Sequence, residues 1–153
     1  MFGAGCFWGV EETFRKLEGV VKTEVGYAGG RPGETSYRAV CTGETGHAEV
    51  TRIQFDPKRV SFETLLDVFW QCHDPTTRDR QGPDIGHQYR SVIFACSDDQ
   101  EGTAKDSRKH LDTSGRLPRS VVTQICEWSE FHRAEDYHQR YLERRGQPAR
   151  PPS

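Results

Sequence analysis

The stretch Gly3-Ala4-Gly5-Cys6-Phe7-Trp8-Gly9 carries the strongest chemical signal in this 153-residue sequence. Small residues lead directly into a helical pattern and leave Cys6 at or beside its first turn, where backbone N–H groups lack intrahelical partners and concentrate partial positive charge. That field favours thiolate over thiol: free cysteine titrates near pH ~8.5, and helix N-termini or cationic neighbours lower this to roughly 3.5–7.5. Cys6 is therefore a candidate nucleophile, the alternative being a small cysteine packed under a helix start. Phe7, Val10, Phe14 and Leu17 form one apolar stripe, and Trp8 stands about 100° away from it on the helical wheel. Burying the stripe leaves this indole to wall an apolar pocket beside the thiol, or to serve as a second core side chain. Glu49 is a candidate acid. It shares strand parity with Thr51, Ile53 and Phe55, so period two aims its carboxyl at the apolar side. There desolvation would raise its pKa and let it hold a proton near neutrality; a glutamate on a wet edge strand is the alternative.

These side chains need elements to hold them. Residues 7 to 17 read as an amphipathic helix, with Glu11/Arg15 and Glu12/Lys16 as i,i+4 charge pairs and Gly19 ending it. Val20 to Tyr27 reads as a strand, followed by a loop running from Gly29 to about Gly46 that contains Tyr37 and Cys41. A second strand spans Ala48 to Phe55, and Ser61 opens a helix striped by Phe62, Leu65, Leu66, Phe69 and Trp70 that Asp74-Pro75 terminates. Residues 75 to 89, with Asp84 and Tyr89, show no period, and so long an irregular stretch in a small domain suggests function or mobility. Arg90 to Cys96 is a third strand; Ser97 and Gln100 cap the next helix; Val121 to Cys126 is a fourth strand; Ala134, Tyr137, Tyr141 and Leu142 stripe a last helix. With Met1 to Gly5 as a short first strand, this order predicts an α+β fold, a ferredoxin-like two-layer sandwich with helices packed on a mixed β-sheet. One domain covers residues 1–143, with a Pro-rich polar tail over 144–153.

Charge and hydropathy exclude several function classes. Twenty-one Lys+Arg against 23 Asp+Glu give net charge −2, without the basic stripe that a nucleic-acid backbone requires. Mean hydropathy is −0.81 and no apolar run nears the ~20 residues of a membrane span. The five cysteines, at 6, 41, 72, 96 and 126, form no C-x-x-C pair and are odd in number, which argues against a zinc site, a thioredoxin-type motif and a secreted disulfide framework. With no visible signal peptide, a reducing cytoplasmic setting is expected. Cys72, Cys96 and Cys126 end regular elements, where packing is the expected role. A Cys-His pair could instead mark a cysteine hydrolase, yet nothing around His73, His87 or His138 singles out a base. His73 closes a helix, where a charged imidazole would suit the dipole, and His138 reads as part of a structural cluster around the last helix. No metal site is expected.

The segment Gly5-Cys-Phe-Trp-Gly9-Val-Glu11 resembles the active-site signature of the peptide methionine sulfoxide reductase A family. Further motifs of that family follow in order: Gly26–Gly30, Tyr37–Cys41, Gly46–Val50, His73–Pro75, Arg80–Gly82, Asp84 with Gln88–Ser91, and Ala134–Gln139. The resemblance implies reduction of methionine S-sulfoxide, free or in oxidised proteins, through a sulfenic acid on Cys6, with no bound cofactor. It also implies that Tyr37, Glu49, Asp84 and Tyr89 line the catalytic basin. Tyr37 and Tyr89 would donate hydroxyl hydrogen bonds to the sulfoxide oxygen, Glu49 its proton, and Asp84 would orient polar groups or water; Phe7 and Trp8 would form the methyl pocket. An external thiol, such as thioredoxin, glutaredoxin with glutathione or another dithiol, would restore Cys6, and a monomer is expected. Many members resolve the sulfenic acid with cysteines on a C-terminal tail, and residues 144–153 contain none; Cys41 is then the leading internal candidate. Two rival readings are a cysteine hydrolase or acyl transferase and a non-catalytic methionine-sulfoxide binding module.

Overall fold

The computed structural model describes residues 1–33 and 35–146, so the tail expected over 144–153 lies mostly outside the described residues. A mixed six-stranded sheet organises them. Its strands are β1 (Phe2–Ala4), β2 (Val20–Ala28), β3 (Ala48–Phe55), β6 (Ser91–Ala95), β7 (Gln124–Glu127) and β8 (His132–Arg133), in the order β7-β6-β1-β3-β2-β8. Only β6 and β7 run parallel; the other neighbours are antiparallel. The two strands nearest the chemistry, β1 leading into Cys6 and β3 bearing Glu49, are therefore interior strands whose backbone polar groups are satisfied on both sides.

Helices α1 (Phe7–Arg15), α3 (Phe62–Gln71) and α4 (Asp98–Thr113) cover one face of this sheet. They do so because their stripes meet the alternate residues of the strands: Val10, Phe14, Leu65, Leu66, Phe69 and Ala104 pack on Phe2, Ala4 and Ile93. Each large apolar side chain buried there stabilises the fold by about 1.5–3 kcal/mol. Ser61 and Ser97 cap α3 and α4 by accepting from the N–H groups of Thr64 and Gln100. The opposite parity, Ala48, Val50, Val92 and Phe94, forms a smaller cluster with Ala28 and Phe131. The architecture is a mixed α+β one, as the element order predicted.

Four sequence expectations are corrected. The loop from Gly29 to Gly46 contains a one-turn helix, α2 (Tyr37–Cys41), whose cap Ser36 accepts from Ala39 N–H at 3.2 Å; five residues are too few for a period to show. Cys41 thus ends a helix rather than lying on a loop. The stretch 75–89 holds a hairpin, β4 (Arg80–Gln81) with β5 (Asp84–Ile85), and a 3₁₀ turn at His87–Tyr89. The last helix is broken: β8 and a 3₁₀ turn at Asp136–His138 precede Arg140 at φ 51°, and only α5 (Tyr141–Arg145) is helical. Tertiary hydrogen bonds override the periodicity there, because the Gln139 amide takes up both the N–H and C=O of Val25 and the Glu11 carboxylate accepts Arg140 N–H at 2.7 Å. Finally, His73 is not a charged helix-end imidazole. It is buried between Phe69 O and Ser91 Oγ, 2.7 Å from each, and desolvation pushes its pKa down to about 4.

Candidate active site

Cys6 is the N-cap of α1, half-buried, immediately after the Gly5 turn. Gly5 adopts φ +92°, and a Cβ there would lie 2.8 Å from the Gln81 side chain. Gln81 cannot give way cheaply, since its amide is fixed by two 2.8 Å hydrogen bonds to the backbone of Asp74. The glycine sets the angle at which β1 delivers Cys6 to the helix start.

Glu49 lies next to that start. Its Oε1 accepts the backbone N–H of Phe7 at 3.1 Å, and the residue is 2% exposed. Period two along β3 had aimed the carboxyl at the helical face, and the structure puts it there. Burial raises its pKa to about 8, with the negative charge of Asp84 pushing the same way and the Phe7 N–H opposing. Desolvation wins, so the carboxyl is protonated in most molecules at neutral pH.

Two phenols complete this group. Tyr89, at the end of its 3₁₀ turn, is pushed up to about 12 by burial and by the charges of Glu49, Asp84, Cys41 and Cys6. Tyr37 opens α2; burial and a hydrogen bond with the Cys41 side chain raise its pKa, with Tyr89 and Glu49 adding to the effect. Both stay protonated donors. Cys6, Cys41, Tyr37, Glu49, Asp84 and Tyr89, drawn from five separate segments, are thus gathered into one electrostatically linked group. Cys72 caps α3 with a thiol pushed up to about 12, Cys96 is exposed after β6 and Cys126 lies in β7; no disulfide joins any two of the five.

An aromatic cluster begins at the two residues that follow Cys6. Phe7 is 1% exposed and packs on Tyr27 and His138, with centroids 5.8 and 5.2 Å apart. Trp8 is half-buried, off the core stripe as its position on the wheel implied, and stacks on Tyr141 at 3.8 Å and 8°. Its Nε1–H donates to His138 Nδ1 at 3.0 Å. Glu135 ties the neighbouring elements together: it accepts from Tyr27 OH at 3.0 Å and from the backbone N–H of Tyr37 at 3.3 Å. The sequence reading missed Glu135 and Tyr141 and assigned His138 to a structural cluster. The motif Ala134–Gln139 was a signal, misread because a continuous helix would have turned these side chains elsewhere.

Two of the imidazoles weighed as bases are held by other partners: His73 as described above, and His87 in an exposed pair with Asp79 at 2.9 Å. Among the described residues no group of three His, Cys, Asp or Glu side chains could hold a metal ion, and no helix is long and apolar enough to cross a membrane.

The chain is similar to several known proteins. A family model described as peptide methionine sulfoxide reductase matches residues 1–150. The chain is 59% identical over 145 residues to the peptide methionine sulfoxide reductase MsrA of Methanosarcina mazei, covering 95% of this chain and 69% of that protein. It is similar in structure to Mxr1 from Saccharomyces cerevisiae in reduced form, with TM-score 0.88, 36% identity and coverage of 98% of this chain and 86% of that one. Mxr1 in complex with Trx2 also matches, with TM-score 0.64, 26% identity and coverage of 92% and 81%.

Proposed function

The chain belongs to the peptide methionine sulfoxide reductase family, and from that premise we propose how its own residues reduce methionine S-sulfoxide, free or peptide-bound. The Cys6 thiolate attacks the sulfoxide sulfur while Glu49 gives its proton to the sulfoxide oxygen. The S–S bond formed by that attack breaks again as the protonated oxygen passes from the substrate sulfur to the Cys6 sulfur, so that the substrate gains two electrons and leaves as methionine while Cys6 loses two electrons and becomes a sulfenic acid. Tyr37 and Tyr89 donate hydrogen bonds to the oxygen as charge develops on it, and Asp84 orients polar groups at the basin. Phe7 and Trp8 hold the S-methyl group. The observation that carries this reading is the buried Glu49 carboxyl, its pKa raised by desolvation, accepting the first N–H of the helix that Cys6 caps. A hydrolase would need a base for the thiol, and the acid here is poised to give a proton rather than take one.

For recycling we favour an external thiol: its sulfur displaces water from the sulfenic acid, and a second thiol releases Cys6 and a disulfide. Mxr1 assembles with Trx2, which supports a thioredoxin-type dithiol for this chain; glutaredoxin with glutathione fits the same chemistry. Cys41 is the internal alternative, favoured by its facing Tyr89 together with Cys6. We read residues 1–143 as one catalytic domain of ferredoxin-like type, supported by the succession β1-α1-β2-β3-α3-β6 and by the run β6-β1-β3-β2 within the sheet. A reducing cytoplasmic setting suits the five cysteines. The test is a single turnover of the reduced protein with a methyl sulfoxide. One methionine or sulfide formed per Cys6 consumed supports the mechanism, whereas bound sulfoxide without thiol loss reduces the protein to a binding module.

A further inference from the structure

The hairpin that carries Asp84, and with it the turn that carries Tyr89, is held to the core through Gln81. This residue is 9% exposed, and its carboxamide meets both backbone groups of Asp74: Oε1 accepts the N–H and Nε2 donates to the C=O, each at 2.8 Å. A carboxamide carries a donor and an acceptor side by side, the match for one residue's N–H and C=O. The backbone so gripped is itself fixed. Asp74 closes α3 directly after His73, whose buried ring is bonded to Phe69 O and Ser91 Oγ, and Ser91 is paired in the sheet with Ala4 of β1. The anchor is therefore continuous with the strand that ends beside Cys6.

The stem of the same side chain faces the turn before the nucleophile. Gln81 Cβ and Cγ lie so close to Gly5 that a Cβ built there would be 2.8 Å from each. Across the hairpin Gln81 is the register partner of Asp84, so these two side chains share its inner face, while Arg80 and Ile85 on the outer face are exposed. Other bonds of the segment, from Thr77 Oγ1 to Arg80 O and from Gly86 N–H to Asp79 O, both at 2.8 Å, shape the hairpin without joining it to the core. Tyr89 follows directly, its N–H bonded to Gly86 O at 3.0 Å, and it senses the charges of both Asp84 and Cys6. We propose that Gln81 is a positioning residue: its stem seats the hairpin on the Gly5 turn and its carboxamide clamps it to Asp74, so that Asp84 and Tyr89 are held at a set distance from the Cys6 sulfur. The inference rests on the reading that these three residues act on one sulfoxide. It places the effect in the chemical step, since Phe7 and Trp8, which hold the S-methyl group in that reading, belong to α1.

The experiment is single-turnover kinetics on the full chain with a methyl sulfoxide, expressed per folded molecule, for the wild type, Gln81→Ala, Gln81→Glu and Tyr89→Phe. Misplacing catalytic groups by about 1 Å costs on the order of 10²-fold, so the saturating rate of Gln81→Ala should fall roughly ten- to hundredfold while the half-saturating concentration stays within about twofold. A residue serving stability alone lowers the folded fraction and leaves both constants of the folded molecules unchanged; that result overturns the proposal. Gln81→Glu supplies the rescue. Protonated, its carboxyl again offers Asp74 a donor and an acceptor; ionised, it only accepts and repels the C=O. Burial and the carboxylates of Asp74 and Asp84 favour the protonated form, opposed by Arg119, 3.6 Å from Asp74. Relative to the wild type at the same pH, this variant should therefore approach full rate near about pH 5 and lose it towards about pH 8. A ratio that does not change with pH overturns the clamp. Tyr89→Phe separates the inference from its premise: an unchanged saturating rate there refutes the basin reading and the inference together, whereas a loss there beside a wild-type rate in folded Gln81→Ala refutes the inference alone. In the unmutated protein the Gln81 carboxamide protons should be protected from exchange at neutral pH. A freely exchanging amide refutes the clamp, whether or not the Gln81 variants fold.

Discussion

Replacing Glu49 by Gln separates the proton from the hydrogen bond. The amide keeps the volume of the carboxyl and can still accept the Phe7 N–H now held at 3.1 Å, but it has no proton to give the sulfoxide oxygen. Loss of a general acid costs ~10²–10⁴-fold, so the single-turnover rate at pH 7 should fall by that factor. The pH profile is more discriminating. With a carboxyl near pKa 8, the wild-type rate should decline above about pH 8 as Glu49 ionises, and the Gln variant should lack that limb. Stability provides an independent check, with opposite benefit. The folded pKa lies above the unfolded value of 4.5, so the protonated form is favoured by folding; that contribution is complete below about pH 4.5 and is lost as pH rises to about 8. At neutral pH the loss is about 3 kcal/mol for a group this buried. The Gln variant, uncharged at this position, should therefore lose less of its urea midpoint than the wild type as pH rises from 5 to 9. A variant rate within about twofold of wild type, or an alkaline limb that survives the substitution, would assign the proton to another donor or to water and refute the role of burial argued above.

Cys6→Ser should fold normally and turn over no sulfoxide, because a hydroxyl at neutral pH is a far weaker nucleophile than a thiolate; measurable reduction by the folded variant would remove Cys6 from the mechanism. Gly5→Ala should lower stability by about 1–3 kcal/mol and depress activity, since it combines φ +92° with a Cβ 2.8 Å from Gln81; an unchanged denaturation midpoint would show that the turn is not strained. Oxidation of the reduced enzyme with one equivalent of methionine sulfoxide, without added thiol, should leave a trappable sulfenic acid and the other four cysteines as thiols. A Cys6–Cys41 bond seen by mass spectrometry would replace the external route with an internal one.

The parts of the fold that could be read from the residues are those where local and tertiary preferences coincide. Helices α3 and α4 carry the serine caps legible in the sequence, α1 and α3 the apolar stripes that the core uses, and β3 shows its buried face by parity alone, which is why Glu49 was legible. Errors arose where distant hydrogen bonds decide the backbone. The stripe Ala134, Tyr137, Tyr141, Leu142 satisfies helical spacing, yet Gln139 is taken by Val25 and Arg140 N–H by Glu11, more than a hundred residues away, and the helix gives way. The same segment carries Glu135, His138 and Tyr141, so a wrong backbone concealed three side chains of the site. His73 failed for a related reason: a position at a helix end suggested charge, and only the fold revealed that Ser91 and Phe69 enclose it.

The electrostatics of the site follow one logic. Every titratable donor around Cys6 is driven in the same direction: burial raises Glu49, Tyr37 and Tyr89, and the negative charges present, including that of Asp84, raise Glu49 and Tyr89 further. The result is a set of neutral groups, each holding a proton, facing a sulfur nucleophile. A sulfoxide suits it, being uncharged, carrying an oxygen that accepts strongly, and acquiring negative charge there only as the thiolate attacks. Donors fixed in advance by packing need no reorganisation at that moment. A carboxylate or phosphate ligand would instead meet the negative charge of Asp84. In the mechanism proposed above, burial is what would suit this basin to a neutral, polarisable S–O bond.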